Sequence, residues 1–208
     1  MKHVFSRNDD YKKIAFLNWR ISTDDHIINL LNIADGFLRS AGELSNVCLK
    51  DNSDKKADII IFPILFNLNH GIELYLKSLN WTLNKLLGYN RDIEGNHNIL
   101  QLYNMIYSKF KKYQGNIKCR DFLLATKELK VYIDELYEKI GATELNDKMD
   151  FSRYSFKKGK NSENHFYAQT SENIEIDLEN LLEIINCIKD KLDSICKLMY
   201  HQELNNDY

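Results

Sequence analysis

The stretch 67–79, NLNHGIELYLKSL, sets His70, Glu73 and Lys77 into a run of Leu, Ile and Tyr at helical spacing. On a helical wheel these three polar groups fall within about 60° of one another. Glu73 and Lys77 are four residues apart in the order that favours an ion pair. Leu65, Leu68, Ile72, Leu76 and Leu79 lie on the opposite side and read as the main core face. Phe66, Leu74 and Trp81 flank the polar stripe, so water is partly excluded from it. A half-buried charge without a partner costs on the order of several kcal/mol. Something must therefore meet the stripe, and His97 and Arg153 are the partners the sequence offers. Two readings follow: a buried ion network that fixes helix register, or a ligand-binding pocket.

Other chemistries fit less well. His70, Glu73 and His97 could offer N and O ligands to a metal, but the H-x-x-E order reverses the di-iron bundle motif, and the other carboxylate helices of such a site are missing. Cys48, Cys119, Cys187 and Cys196 form no CxxC pair and no zinc spacing, and they read as reduced thiols. There is no Gly-rich phosphate loop and no Ser nucleophile motif. The expectation is a protein with no metal and no cofactor.

The elements that would carry the stripe are helices. Hydrophobic residues make up 44% and charged residues 28%, enough to bury a core, and 8 Gly with 1 Pro are few turn-formers for a β-sandwich. Ser22 or Thr23 can cap a first helix with apolar positions from Ile27 to Leu44. A second helix runs from about Asp58 to Leu87, with Pro63 acceptable in its first turn and expected to kink it if deeper, and Gly88 as a cap. A third spans about 97–113, and a fourth about 118–140, stopped by Gly141. A long irregular loop occupies 141–173, with a short hairpin around 151–156 and 165–169. The last helix runs from near Ile174 to about Gln202. In it Leu178, Ile185, Leu192 and Met199 repeat every seven residues, and Leu181, Ile188 and Ile195 fill the other seam position. The expected fold is all-α, an up-and-down bundle of about five main helices forming one domain over 1–208.

Net charge is −2, which gives no general affinity for polyanions. The stretches 109–118 (KFKKYQGNIK) and 153–160 (RYSFKKGK) are the basic candidates, and they read as a solvated, lysine-rich surface. The N-terminus lacks an apolar stretch. The longest apolar run, Ile59 to Phe66, is too short to span a bilayer, so no membrane partner is expected and the reading is cytoplasmic.

The pair NHGIELYLKSL and GNHNILQLYNMI resembles the HEPN-like helical superfamily of prokaryotes. His70, Glu73, Leu74, Leu76 and Lys77 match its H-x-x-E-L-x-L-K element. Gly95, His97, Ile99 and Leu102 match its G-x-H-x-L-x-x-L element, with Ile99 for the usual Leu. Phe151-Ser152-Arg153-Tyr154 is similar to its later aromatic–Arg–Tyr element with an inserted Ser, which adds Tyr154 to the candidate ligand-binding set of His70, Glu73, Lys77 and Arg153. Many members are metal-independent ribonucleases of defence and toxin–antitoxin systems; others are non-catalytic helical modules. The resemblance implies Arg91 and His97 as a catalytic pair, within Arg91-Asp92-Ile93-Glu94-Gly95-Asn96-His97. His97 would accept the proton of a ribose 2′-hydroxyl and Arg91 would hold the scissile phosphate. It also implies RNA or a nucleotide-like ligand, a homodimer and a partner protein. The alternative is a dimeric interaction module whose polar cluster is structural.

Overall fold

The computed structural model describes residues 1, 3–91, 93, 97–157 and 163–205. Among them are seven helices: α1 (His26–Lys50), α2 (Ala57–Leu86), α3 (Ile99–Phe110), α4 (Cys119–Ala125), α5 (Lys127–Ile140), α6 (Phe166–Gln169) and α7 (Leu178–Leu198). The chain is an all-α helical bundle. A single antiparallel bridge, Phe156 to Asn164, stands where the hairpin was expected. Residues 166–169 form a helical turn instead of its second strand.

α2 is the central helix. It packs on α1, α3 and α7 and against the 3-10 turn Met149–Ser152. Leu68, Ile72, Leu76 and Leu79 are fully buried on the face that the periodicity assigned to the core. By length and composition α2 could also cross a membrane. In this fold half of that apolar window is buried within the bundle.

Pro63 lies inside α2, beyond its first turn, and the helix runs through it. Pro63 and Ile59 are both exposed, so the carbonyl that loses its donor can turn to water. α1 starts after Asp25, whose carboxylate accepts from the amides of Ile27 and Ile28. Ser22 instead accepts from Asp24 and Asp25, one step upstream. The fourth helix is split at Thr126. The Thr126 hydroxyl donates to the Phe122 carbonyl at 2.7 Å and meets the Tyr103 hydroxyl at 3.1 Å, which ties the break to α3. α7 starts at Leu178, later than the expected Ile174; Leu178 is half-buried, and the repeat beyond it is buried as read, with Leu181, Ile185, Ile188, Leu192 and Ile195 facing the core. The helix ends in a π-helical turn, Met199–Leu204.

α1 and α2 approach closely at Gly71. A Cβ there would lie 2.7 Å from Leu38 Cγ and 3.2 Å from the Ala34 carbonyl oxygen. Gly71→Ala should therefore destabilise the bundle by roughly 2 kcal/mol, the usual cost of overpacking. Gly36→Ala, where a Cβ meets nothing within 4 Å, should stabilise α1 by about 1 kcal/mol. Urea unfolding of the two variants checks the opposite signs; equal effects would refute the close approach.

Candidate functional site

At the centre of the α2 polar stripe Glu73 is buried, with His70 and Lys77 half-buried on either side. Glu73 has a side chain only 7% exposed, and three donors meet it. Lys77 Nζ donates to Oε1 at 2.7 Å, His97 Nδ1 lies 3.0 Å from the same oxygen, and His70 Nδ1 lies 3.5 Å from Oε2. Burial alone would push the Glu73 carboxyl up. The hydrogen bonds from His70 and Lys77, with the charges of Lys77 and His97, outweigh it and hold the group down to about 2. An ionised carboxylate only accepts, so His97 carries a proton on Nδ1 in this contact. In the neutral ring that leaves Nε2 as a base, on a side chain that is 76% exposed.

Each partner is held by its own element. His97 directly precedes Asn98, which caps α3 by accepting from the Gln101 amide. Asn98 also accepts from the Tyr137 hydroxyl and donates to the carbonyls of Thr143 and Glu144. The entry to α3 is thereby pinned to α5 and to the turn after it. The His70 ring sits edge-on to Phe37 and stacked on Phe66.

Arg153 follows the 3-10 turn Met149–Ser152, whose Phe151 is buried in the core. Its guanidinium lies 5.8 Å from the Phe66 ring and 5.7 Å from the Tyr154 ring, and among the described residues it has no carboxylate partner. Tyr154 is held through its carbonyl, which accepts from the Tyr167 hydroxyl at 2.8 Å.

A cavity of about 100 Å³ lies against this cluster, lined by His70, Glu73, His97 and Arg153 together with Phe66, Asn69, Met149 and Ser152. Two residues of the stripe, His70 and Glu73, and both of its expected partners, His97 and Arg153, thus share one cavity. Lys77 binds Glu73 without lining it, and Tyr154 reaches it only through Arg153. Arg91 is exposed and is not among the lining residues; its carbonyl accepts from Asn84. Asp92, Glu94, Gly95 and Asn96, which belong to the Arg91–His97 motif, lie outside the described residues, as do residues 158–160 of the second basic stretch. Lys109, in the first basic stretch, is not a surface lysine. It is buried and donates to Asn80 Oδ1 at 2.8 Å and to Asn84 Oδ1.

Asn69 and Ser152 are the lining residues that the sequence reading missed. Asn69 is 6% exposed and Ser152 7%. Asn69 Oδ1 accepts from the Tyr132 hydroxyl at 2.7 Å, which leaves Nδ2 as a donor. Neither Nδ2 nor the Ser152 hydroxyl has a hydrogen-bond partner among the described residues. The signal for Asn69 was present: on the wheel it falls about 40° from Glu73. A larger groove of about 780 Å³ runs beside the N-terminal half of α2, with Asp58, Glu172 and Glu175 against Lys55 on its walls. That charge balance suits no polyanion.

No family model, no curated protein and no solved structure matches the chain.

The Glu73 carboxyl titrates far below its ordinary value of 4.5. Its ionised form therefore adds stability that is complete above about pH 4.5 and is lost as pH falls to about 2, on the order of 3 kcal/mol. Glu73→Gln should unfold at lower urea than the wild type at pH 7, and the gap should close between pH 4.5 and pH 2. A gap that stays constant over that range would show that the charge is not the stabilising feature.

Proposed function

We propose that the protein binds RNA or a nucleotide-like ligand through the cavity above Glu73. The observation that carries this reading is Arg153. It is held between two aromatic rings at the cavity with no carboxylate partner among the described residues, beside a His97 whose Nδ1 is engaged by Glu73. A guanidinium so placed suits a phosphoryl oxygen.

The same pair suits metal-independent cleavage. His97 Nε2 would take the proton of a ribose 2′-hydroxyl, with Glu73 holding the ring and stabilising the imidazolium that forms. The 2′-oxygen would attack phosphorus, the 5′-oxygen would leave with a proton from solvent, and a 2′,3′-cyclic phosphate would remain. Arg153 would stabilise the charge on the phosphorane oxygens. This is the activity that the HEPN-like resemblance implies for a prokaryotic defence or toxin–antitoxin protein. It differs in one respect: Arg153, and not Arg91, is the arginine at the cavity.

One observation favours a second reading. Both Glu73 oxygens are met by donors, three in all, as in a purely structural network. On that reading the chain is a non-catalytic, dimeric helical module.

Purified protein incubated with a mixed RNA pool and EDTA separates the two. RNA should be bound and cut to cyclic-phosphate ends. Cleavage should fall by about 10²-fold or more in His97→Ala, as for loss of a general base, and should also fall in Arg153→Gln. Arg91→Ala should retain activity. Absence of both binding and cleavage, with His97→Ala markedly destabilised, would leave the structural module. Loss of cleavage in Arg91→Ala alone would move the phosphate contact away from Arg153.

A further inference from the structure

The cavity holds a surplus of donors. Asn69 Nδ2 and the Ser152 hydroxyl line it without partners, although both residues are more than nine-tenths buried. Arg153 adds a guanidinium. The carboxylate and amide oxygens nearby are engaged: both Glu73 oxygens are met, and Asn69 Oδ1 is held by Tyr132. With an amide N–H, a hydroxyl and a guanidinium left to offer, the pocket favours an oxyanion.

Its size and shape narrow the choice. About 100 Å³ is less than the roughly 150 Å³ of an engineered cavity that takes benzene. One tetrahedral oxyanion fits that space. The buried lining residues, Asn69, Glu73 and Ser152, form the floor. The exposed ones, His97 and Arg153, mark the mouth. Donors stand both on the floor, at Asn69 and Ser152, and at the exposed Arg153, and they are best matched by a group with three free oxygens, which a phosphomonoester has and a phosphodiester lacks.

We propose that the cavity is a subsite for a terminal phosphate, so that the ligand is a phosphomonoester whose free oxygens are read by Asn69, Ser152 and Arg153. The proposal rests on the reading that this cavity receives RNA or a nucleotide-like ligand, and it seats a phosphorylated end inside, so that in a strand cut by His97 the scissile phosphate lies outside the cavity, beside the exposed His97 and Arg153. The acid-rich groove beside the N-terminal half of α2 agrees with this, because a phosphodiester backbone laid along it would meet Asp58, Glu172 and Glu175.

The test is titration of the full chain, in phosphate-free buffer, with inorganic phosphate, adenosine 5′-monophosphate, dimethyl phosphate and adenosine, read by calorimetry and thermal unfolding. Inorganic phosphate and the monophosphate should bind and raise Tm; dimethyl phosphate and adenosine should not. Ser152→Ala removes a buried hydroxyl without a partner, so its own Tm should stay equal or rise. Its affinity for the monophosphate should nevertheless fall roughly tenfold or more, the loss expected for a hydrogen bond to a charged group. Arg153→Gln, at an exposed position, should fold normally and lose phosphate binding.

Equal binding of dimethyl phosphate would overturn the proposal, as would unchanged affinity in both variants. His97-dependent RNA binding that inorganic phosphate does not compete would sink this inference and leave the proposed function standing. Monophosphate binding without any RNA binding would support the inference and assign the ligand to a small nucleotide-like molecule. Failure of every ligand, RNA included, would remove both.

Discussion

The arrangement of this bundle turns on one buried carboxylate. Glu73 sits on the central helix, away from water, and an ion there is tolerable only while several donors surround it. Two donors come from its own helix, one turn before and one turn after. The third, His97, comes from the residue just before the cap of α3. The rotation of α2 about its axis and the entry of α3 are thus coupled through one group. Moving either element by a residue would break the set and strand a charge. Hydrophobic contacts have no such sensitivity, because a slightly shifted Leu still finds apolar neighbours.

The same device recurs along α2. Asn69 is met by Tyr132 of α5, and Asn80 and Asn84 are met by Lys109 of α3. With Glu73 and His97, these give α2 a polar contact on successive turns, each answered by a particular neighbour. A helix surrounded on nearly all sides by apolar partners could settle in several rotations. Polar groups that must be paired remove most of those choices, since each wrong rotation leaves a buried group unsatisfied at a cost of about 1–3 kcal/mol. Asn98 does comparable work outside α2, capping α3 and tying its start to α5 and the following turn through three further hydrogen bonds.

Much of this was legible in the sequence because it is periodic. The core face of α2, the heptads of α7 and the stop at Gly141 come from 3.6-residue spacing and glycine geometry, and the structure places them as read. The convergence of His70, Glu73, His97 and Arg153 was legible for a different reason: a charge in an apolar setting demands partners, and few were on offer. What escaped was set by contacts distant in sequence. The break at Thr126 depends on Tyr103, twenty-three residues earlier. The choice of Asp25 over Ser22 as cap is a contest between two acceptable residues, which local rules do not decide. Asn69 looked like an ordinary polar residue in a helix, and Ser152 like a spacer within an aromatic–Arg–Tyr element. Their burial without partners is visible only once the turn at Met149–Ser152 is laid on α2.

A network that served stability alone would be expected to close. Its donors and acceptors would balance, and apolar side chains would fill whatever space remained. Glu73 meets the first condition and the surrounding cavity does not. Two buried polar atoms are left without partners, and each would be cheaper as a methyl group of similar shape. The remainder is rich in donors: an amide N–H, a hydroxyl and a guanidinium around one small void. A surplus of donors around a small void, with its exposed wall made of an arginine and a carboxylate-oriented histidine, is what remains when the missing partner is an anion that brings its own oxygens. The stability forgone at Asn69 and Ser152 then belongs to binding, in the way that sites commonly trade local stability for function.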